Sequence, residues 1–190
     1  MLYPKLKASN KFNITTAIIL LFGFIILFEG LWKPLFINKT GLVLAITGSI
    51  APGLYTRVQG KIKAGDYVQV CLGPIPVRLA ISRGYMSHGN CNGGEYLAKE
   101  IIAVPGDTVY VYPDKTVVFD GKDRRTYITP RYLKDYTGQL AVRTISDGIY
   151  HLSGYWLLGN GNREYSWDSR YFGQVDRDQI VSKIKPLILF

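Results

Sequence analysis

The apolar positions divide the chain into two unlike parts. Residues 14–28 read ITTAIILLFGFIILF, without a charge and without a polar face. Extended back to Phe12, the stretch approaches the roughly 17–25 residues that a bilayer-spanning helix needs. From residue 41 the pattern changes to short apolar, β-branched or aromatic runs broken by turns: GLVLAIT, DYVQVCL, DTVYVYP, TVVFDG, IYHLS, YWLLGN and QIVSKIKPL. Such runs predict strands, and so a mostly β domain. Asp120-Gly121 is a hairpin signal after TVVF, whereas Pro52-Gly53 reads as a turn. The predicted organisation is an N-terminal tail over 1–12, a transmembrane anchor over 13–32 and a β-rich domain over 33–190. A polar surface excursion is expected at about 122–148.

Flanking charge orients the anchor. Lys5, Lys7 and Lys11 precede it, while Glu29 and Lys33 follow. The positive-inside rule puts the N-terminus in the cytoplasm and everything after Trp32 outside, with Trp32 at the interface. A cleaved signal peptide would end in small residues, and LFEGLWKP offers none of the required pattern. A helix buried in a soluble core would show a polar face.

Composition sharpens this picture. The 190 residues suit one domain, with 47% hydrophobic and 19% charged, and the 20 glycines and 14 tyrosines favour β structure with many turns. The net charge of +9 is scattered, with no helix-turn-helix, RNA-binding or zinc-finger pattern. The expected charged partner is therefore an anionic membrane surface, not nucleic acid. Cys71 and Cys91 fall on the outside, a compartment that favours a disulfide over two free thiols. The residues between them, rich in Gly, Pro and Ser, predict a long loop pinned by that bridge. Two Cys and two His at distant positions make no metal site, and no cofactor is expected.

The candidate chemistry starts at TGSIAPGLY, residues 47–55. Ser49 follows an apolar strand, and a serine hydroxyl becomes a nucleophile only with a base beside it. The two histidines stand in settings that suggest none: His88 lies in a Gly/Asn-rich loop and His151 lies in mid-strand. No G-x-S-x-G elbow occurs. A buried lysine is the other route, because burial disfavours the ammonium. Lys99, in EYLAKEIIAVPGDTV, has the apolar flanks this needs. Glu100 follows directly, yet neighbours in a strand point to opposite faces and need not pair. A solvent-facing strand lysine is the plain alternative.

Three stretches then resemble the motifs of type I signal peptidases, in that family's order: SIAPGL, KEIIAVPGD and GNREYSWDSRYFG. Finer features resemble the conjugative-transfer, TraF-type branch: GLY after the proline, the Cys71/Cys91 pair, and RGYMSHGNCNGG leading into the lysine strand. The likeness runs from the anchor to about Pro186. It implies a signal-peptidase-like β domain held by one N-terminal transmembrane helix, on the periplasmic side of a bacterial inner membrane. It further implies Ser49 as nucleophile and Lys99 as general base. The Thr47 hydroxyl and the Ser49 backbone N–H would form the oxyanion hole, Ser166 would orient the Lys99 amine, and Asp168 with Arg170 would form a supporting ion pair. The sequence departs from the family in three places: Thr47 replaces the usual serine and keeps the donor; Gly161 replaces an acidic residue; and Pro52 follows the general signal peptidase spacing rather than the TraF one.

The implied activity is membrane-anchored serine endopeptidase action on a secreted precursor, a pilin or a signal-peptide-bearing protein. It proceeds through an acyl-enzyme that water, or an amine in a cyclisation, resolves. The strand DYVQVCL is expected to pair an extended substrate along its edge. The C-terminal PLILF is expected to rest on the bilayer. Three other classes compete: a non-catalytic subunit of a conjugation or secretion apparatus, a LexA-type self-cleaving repressor, and a DNA-binding membrane protein. The repressor would need a DNA-binding domain and an internal Ala-Gly cleavage site, and neither is evident.

Overall fold

The alternation of buried and exposed positions decides which side chains face inward. In this computed structural model the residues described are 23–24, 41–119, 126–159 and 164–190. Eleven strands are found among them: β1 (Leu42–Ala45), β2 (Gly53–Val58), β3 (Tyr67–Val70), β4 (His88–Cys91), β5 (Leu97–Ala103), β6 (Thr108–Val111), β7 (Lys115–Phe119), β8 (Thr126–Pro130), β9 (Gly148–His151), β10 (Trp156–Leu158) and β11 (Ile180–Leu189). Two helices accompany them, α1 (Pro74–Ser82) and α2 (Ser169–Phe172). The domain is mostly β, as the runs predict.

The strands form a six-stranded sheet, ordered β1-β2-β11-β3-β5-β10, and a four-stranded sheet, ordered β8-β7-β6-β9. Three apolar clusters back them. Val68, Val70, Ile101 and Leu157 pack with Trp167 and Phe172. Val109, Val111, Val118 and Trp156 join the second sheet to the first. Val43, Ala45, Ile50, Tyr55 and Ile184 lie beneath the turn that carries Ser49.

Three expectations change. DYVQVCL has no free edge, because β3 lies between β11 and β5. β11 pairs Lys183 with Val68 on one side and with Val58 on the other. Next, the cysteine loop contains a helix. α1 opens PIP, and prolines are tolerated in a first turn whose N–H groups have no intrahelical acceptor. Val77 and Ala80, three apart, are its buried face. Finally, Pro52-Gly53 ends the turn and begins β2: a methyl on Gly53 would meet the Ile188 carbonyl oxygen, with Leu189 Cα at 3.1 Å.

Of the 122–148 stretch, Thr126–Pro130 is β8, paired along β7, and Arg131 is buried beyond it. The hairpin residues Asp120 and Gly121 lie outside the described residues, as does the anchor predicted over 13–32, except that Gly23 and Phe24 are helical. No described helix is long and apolar enough to cross a membrane. At the C-terminus Leu187, Ile188, Leu189 and Phe190 are exposed.

Candidate active site

β5 places the lysine. Its buried positions Leu97, Lys99 and Ile101 share one face by the two-residue period, so the amine is carried into the core with them. Lys99 is 1% exposed. Its Nζ lies 2.7 Å from Ser49 Oγ and 2.8 Å from Ser166 Oγ. Ser49, Lys99 and Ser166, far apart in sequence, thus form one hydrogen-bonded row. Desolvation lowers the Lys99 pKa from 10.5 to about 8; Asp168 opposes the fall and Arg170 assists it.

The turn that presents Ser49 is stiff for identifiable reasons. Gly48 takes φ +70°, a left-handed conformation that a side chain would strain. Ile50, next to Ser49, is buried in the cluster below. The Tyr55 hydroxyl donates to the Ala51 carbonyl at 2.8 Å, and the Phe190 amide donates to the Pro52 carbonyl at 3.2 Å. Ser49 is half-buried, and Thr47 is exposed two residues before it.

Behind Ser166 stands a buried ion pair. Arg170 Nε and Nη2 donate to the two Asp168 carboxylate oxygens at 2.8 and 2.9 Å, a two-point contact with both residues fully buried. Asp168 also accepts from the Gly159 amide at 3.1 Å. Arg170 Nη1 donates to the Pro130 carbonyl at 2.7 Å and so fastens β8 to the site. Cys71 and Cys91 are joined by a disulfide that ties the end of β3 to β4.

Of the site residues named from the sequence, Ser49, Lys99 and Ser166 are in this row, Asp168 and Arg170 stand paired just beyond Ser166 in sequence, Thr47 is exposed two residues before Ser49, and Cys71 and Cys91 form their disulfide between β3 and β4. Gly161, one of the noted departures, lies outside the described residues. Two contributors were missed. Gly159 passes so close that a methyl there would overlap Ser166 Oγ and stand 3.3 Å from Lys99 Nζ. Tyr55 holds the serine turn, and its ring is 1% exposed. A glycine ending the WLL strand was the signal for the first. The aromatic four residues beyond Ala51 was the signal for the second.

A serine hydroxyl held against a buried amine, with a second hydroxyl steadying that amine, is an arrangement suited to serine-type acyl transfer. The family described as signal peptidase, peptidase S26, matches residues 11–188, and the chain belongs to it. It is similar to the plasmid transfer protein TraF of Escherichia coli, 31% identical over 150 residues that cover 78% of this chain and 83% of that one. It is also similar to signal peptidase IB of Staphylococcus aureus, 31% identical over 163 residues, with 75% and 81% covered. A crystal structure of a signal peptidase I from Enterococcus faecalis matches 67% of this chain and all of that one, at 20% identity and a TM-score of 0.34. Membership makes the chain a serine endopeptidase of the signal-peptide-cleaving class.

Proposed function

We propose that this protein is a membrane-tethered Ser/Lys endopeptidase that cuts a secreted, pilin-like precursor on the periplasmic side of a bacterial inner membrane. The observation that carries the proposal is the 2.7 Å approach of a fully buried lysine amine to Ser49 Oγ. Neutral Lys99 takes the hydroxyl proton as Ser49 Oγ attacks the scissile carbonyl. The Ser49 N–H and the Thr47 hydroxyl receive the oxyanion, and loss of one such donor typically costs ~10²–10³ in rate. The Lys99 ammonium then protonates the leaving amine. Water, deprotonated by the same lysine, releases the acyl group as a carboxylic acid. An amine in place of water would join peptide ends instead.

Ser166 keeps the amine aimed, and the Asp168–Arg170 pair holds the segment that carries Ser166. β1 offers the substrate an edge: among the described strands it neighbours β2 alone and runs directly into Thr47 and Ser49. An extended precursor adding a strand there would meet the serine in register. The anchor over 13–32, with the N-terminus in the cytoplasm, would hold this edge at the membrane surface and raise the effective substrate concentration. The resemblance to a plasmid transfer protein favours the pilin over a general pre-protein.

The test is mass spectrometry of a co-expressed pilin or pre-protein with wild type, Ser49→Ala and Lys99→Ala. A product seen with wild type alone is expected. A mass with water added marks hydrolysis, and a mass without it marks cyclisation. Identical substrate masses in all three, on a panel including the native pilin, would return the chain to a structural role in its assembly.

A further inference from the structure

β1 has two unlike sides. Val43 and Ala45 are buried in the cluster under the serine turn, whereas Leu44 is 45% exposed and Ile46, directly after the strand, is 67% exposed. The two-residue period puts Leu44 and Ile46 on one side. β2 continues that side. Tyr55 is buried with Val43 and Ala45, so its neighbour Leu54 points the other way. Leu54 stands directly opposite Ile188 of β11, which is exposed, and residues directly opposite in an antiparallel pair share a face. Leu44, Ile46, Leu54 and Ile188 thus make an apolar ledge across β1, β2 and β11, which lie side by side in that order. Two residues farther along β2, Thr56 pairs with Lys185 and the side turns polar. The apolar end is the one next to the turn that carries Ser49.

What covers this ledge must also satisfy β1. Among the described residues β1 neighbours β2 alone, so the backbone groups along its other edge face no strand. Lipid tails offer such an edge neither donor nor acceptor. An extended peptide offers both. A strand that adds to β1 sets alternate side chains about 4.5–5.5 Å, Cβ to Cβ, from Leu44 and, two residues on, from Ile46. The path to the nucleophile runs along the chain's own surface. Ile46 stands three residues before Ser49 and Leu44 five before, at most about 11 and 18 Å of extended chain. The precursor side chains that meet the ledge therefore lie within about five residues of the cut.

We propose that Leu44 and Ile46 are specificity-determining residues that select apolar side chains at two positions of the precursor, two residues apart and within about five residues of the scissile bond. The proposal rests on the peptidase reading above, and its test separates the two. Synthetic peptides of one fixed sequence of small residues, with Leu or Ser placed at each position in turn, are cleaved by the full-length protein in detergent, and mass spectrometry locates the cut. Their binding to full-length Ser49→Ala is measured by fluorescence anisotropy. At two positions, two apart, the Leu peptide is expected to exceed the Ser peptide about threefold in both kcat/KM and affinity, and about tenfold with Leu at both. Leu44→Thr and Ile46→Thr alter exposed side chains and keep strand propensity. Each is expected to bring one of the two Leu-to-Ser ratios near one and to leave the other. Ratios near one at every position in the unaltered chain overturn the proposal. So do ratios unmoved by both changes, which would leave the ledge to the bilayer. Leu-selective binding at two such positions by Ser49→Ala, lost one position at a time when Leu44→Thr or Ile46→Thr is added, with no peptide cut by wild type, upholds the ledge and refutes the peptidase reading alone.

Discussion

Replacing Lys99 with methionine should end cleavage and stabilise the fold at neutral pH. Lys99 is almost wholly buried, and burial lowers its pKa from 10.5 to about 8. At about 1.36 kcal/mol per pKa unit, that fall corresponds to about 3 kcal/mol. The sign follows from proton counts. Between about pH 8 and 10.5 the unfolded chain holds the lysine proton and the folded chain does not, so stability rises with pH across that window. Below pH 8 the whole penalty is present, and above 10.5 it has vanished. Methionine is unbranched, of similar length, and carries no charge. It abolishes the penalty but gives up two hydrogen bonds, each worth about 1 kcal/mol net. The variant should therefore be more stable by about 1 kcal/mol at pH 7 and less stable above pH 10.5, with the two curves crossing between. Urea unfolding followed by tryptophan fluorescence from pH 6 to 10.5 checks this. A stability difference that is the same at every pH would refute the buried-lysine argument, and with it the source of a neutral base. The wild-type cleavage rate should climb about tenfold per pH unit below 8, where the neutral amine is scarce, and level off above it.

Gly159→Ala pushes a methyl into Ser166 Oγ; kcat should fall by about a hundredfold, with a shifted pH profile as the sign that the amine has lost its second partner. Tyr55→Phe removes the donor to the Ala51 carbonyl; it should cost about 1 kcal/mol in urea and lower kcat with KM unchanged, whereas an unaltered kcat would mean that the turn holds without it. Cys71→Ser with Cys91→Ser opens a bridge of sequence separation 20 and should lower stability by about 3 kcal/mol, checked by the urea midpoint; an equal midpoint would show that the bridge adds nothing to this fold.

The faces of strands were legible and their neighbours were not. Leu97, Lys99 and Ile101 alternate with Ala98 and Glu100, a period that puts Lys99 on the face of Leu97 and Ile101 but left a solvent-facing lysine open until the structure showed that face buried. Nothing local tells β3 that β11, more than a hundred residues later, will lie along it. Edge status is a property of pairing over long separations, so the substrate edge was assigned to β3 when β1 is the terminal strand leading to Ser49. α1 was hidden by its composition: Gly73, Pro74 and Pro76 read as loop, and the helix shows only from what Val77 and Ala80 bury. Gly159 was unreadable for a related reason, since its importance lies in what approaches it from Ser166, seven residues on.

The Asp168–Arg170 pair shows why this site needs two buried charges rather than one. A carboxylate behind Ser166 organises the segment, accepting the Gly159 amide and the Arg170 amide. Alone, that carboxylate would favour the Lys99 ammonium and pull the amine away from the neutral form. Arg170 acts on Lys99 in the opposite direction, so the pair supplies the hydrogen-bonding geometry of a carboxylate while opposing its field. Replacing a buried pair by apolar residues is often neutral or favourable to stability, which makes stability alone a weak reason for this one. Its carboxylate accepts the amide of Gly159, whose position abuts both Ser166 and Lys99, and this gives it a reason tied to the proposed base: a polar wall that can be satisfied without recharging the lysine.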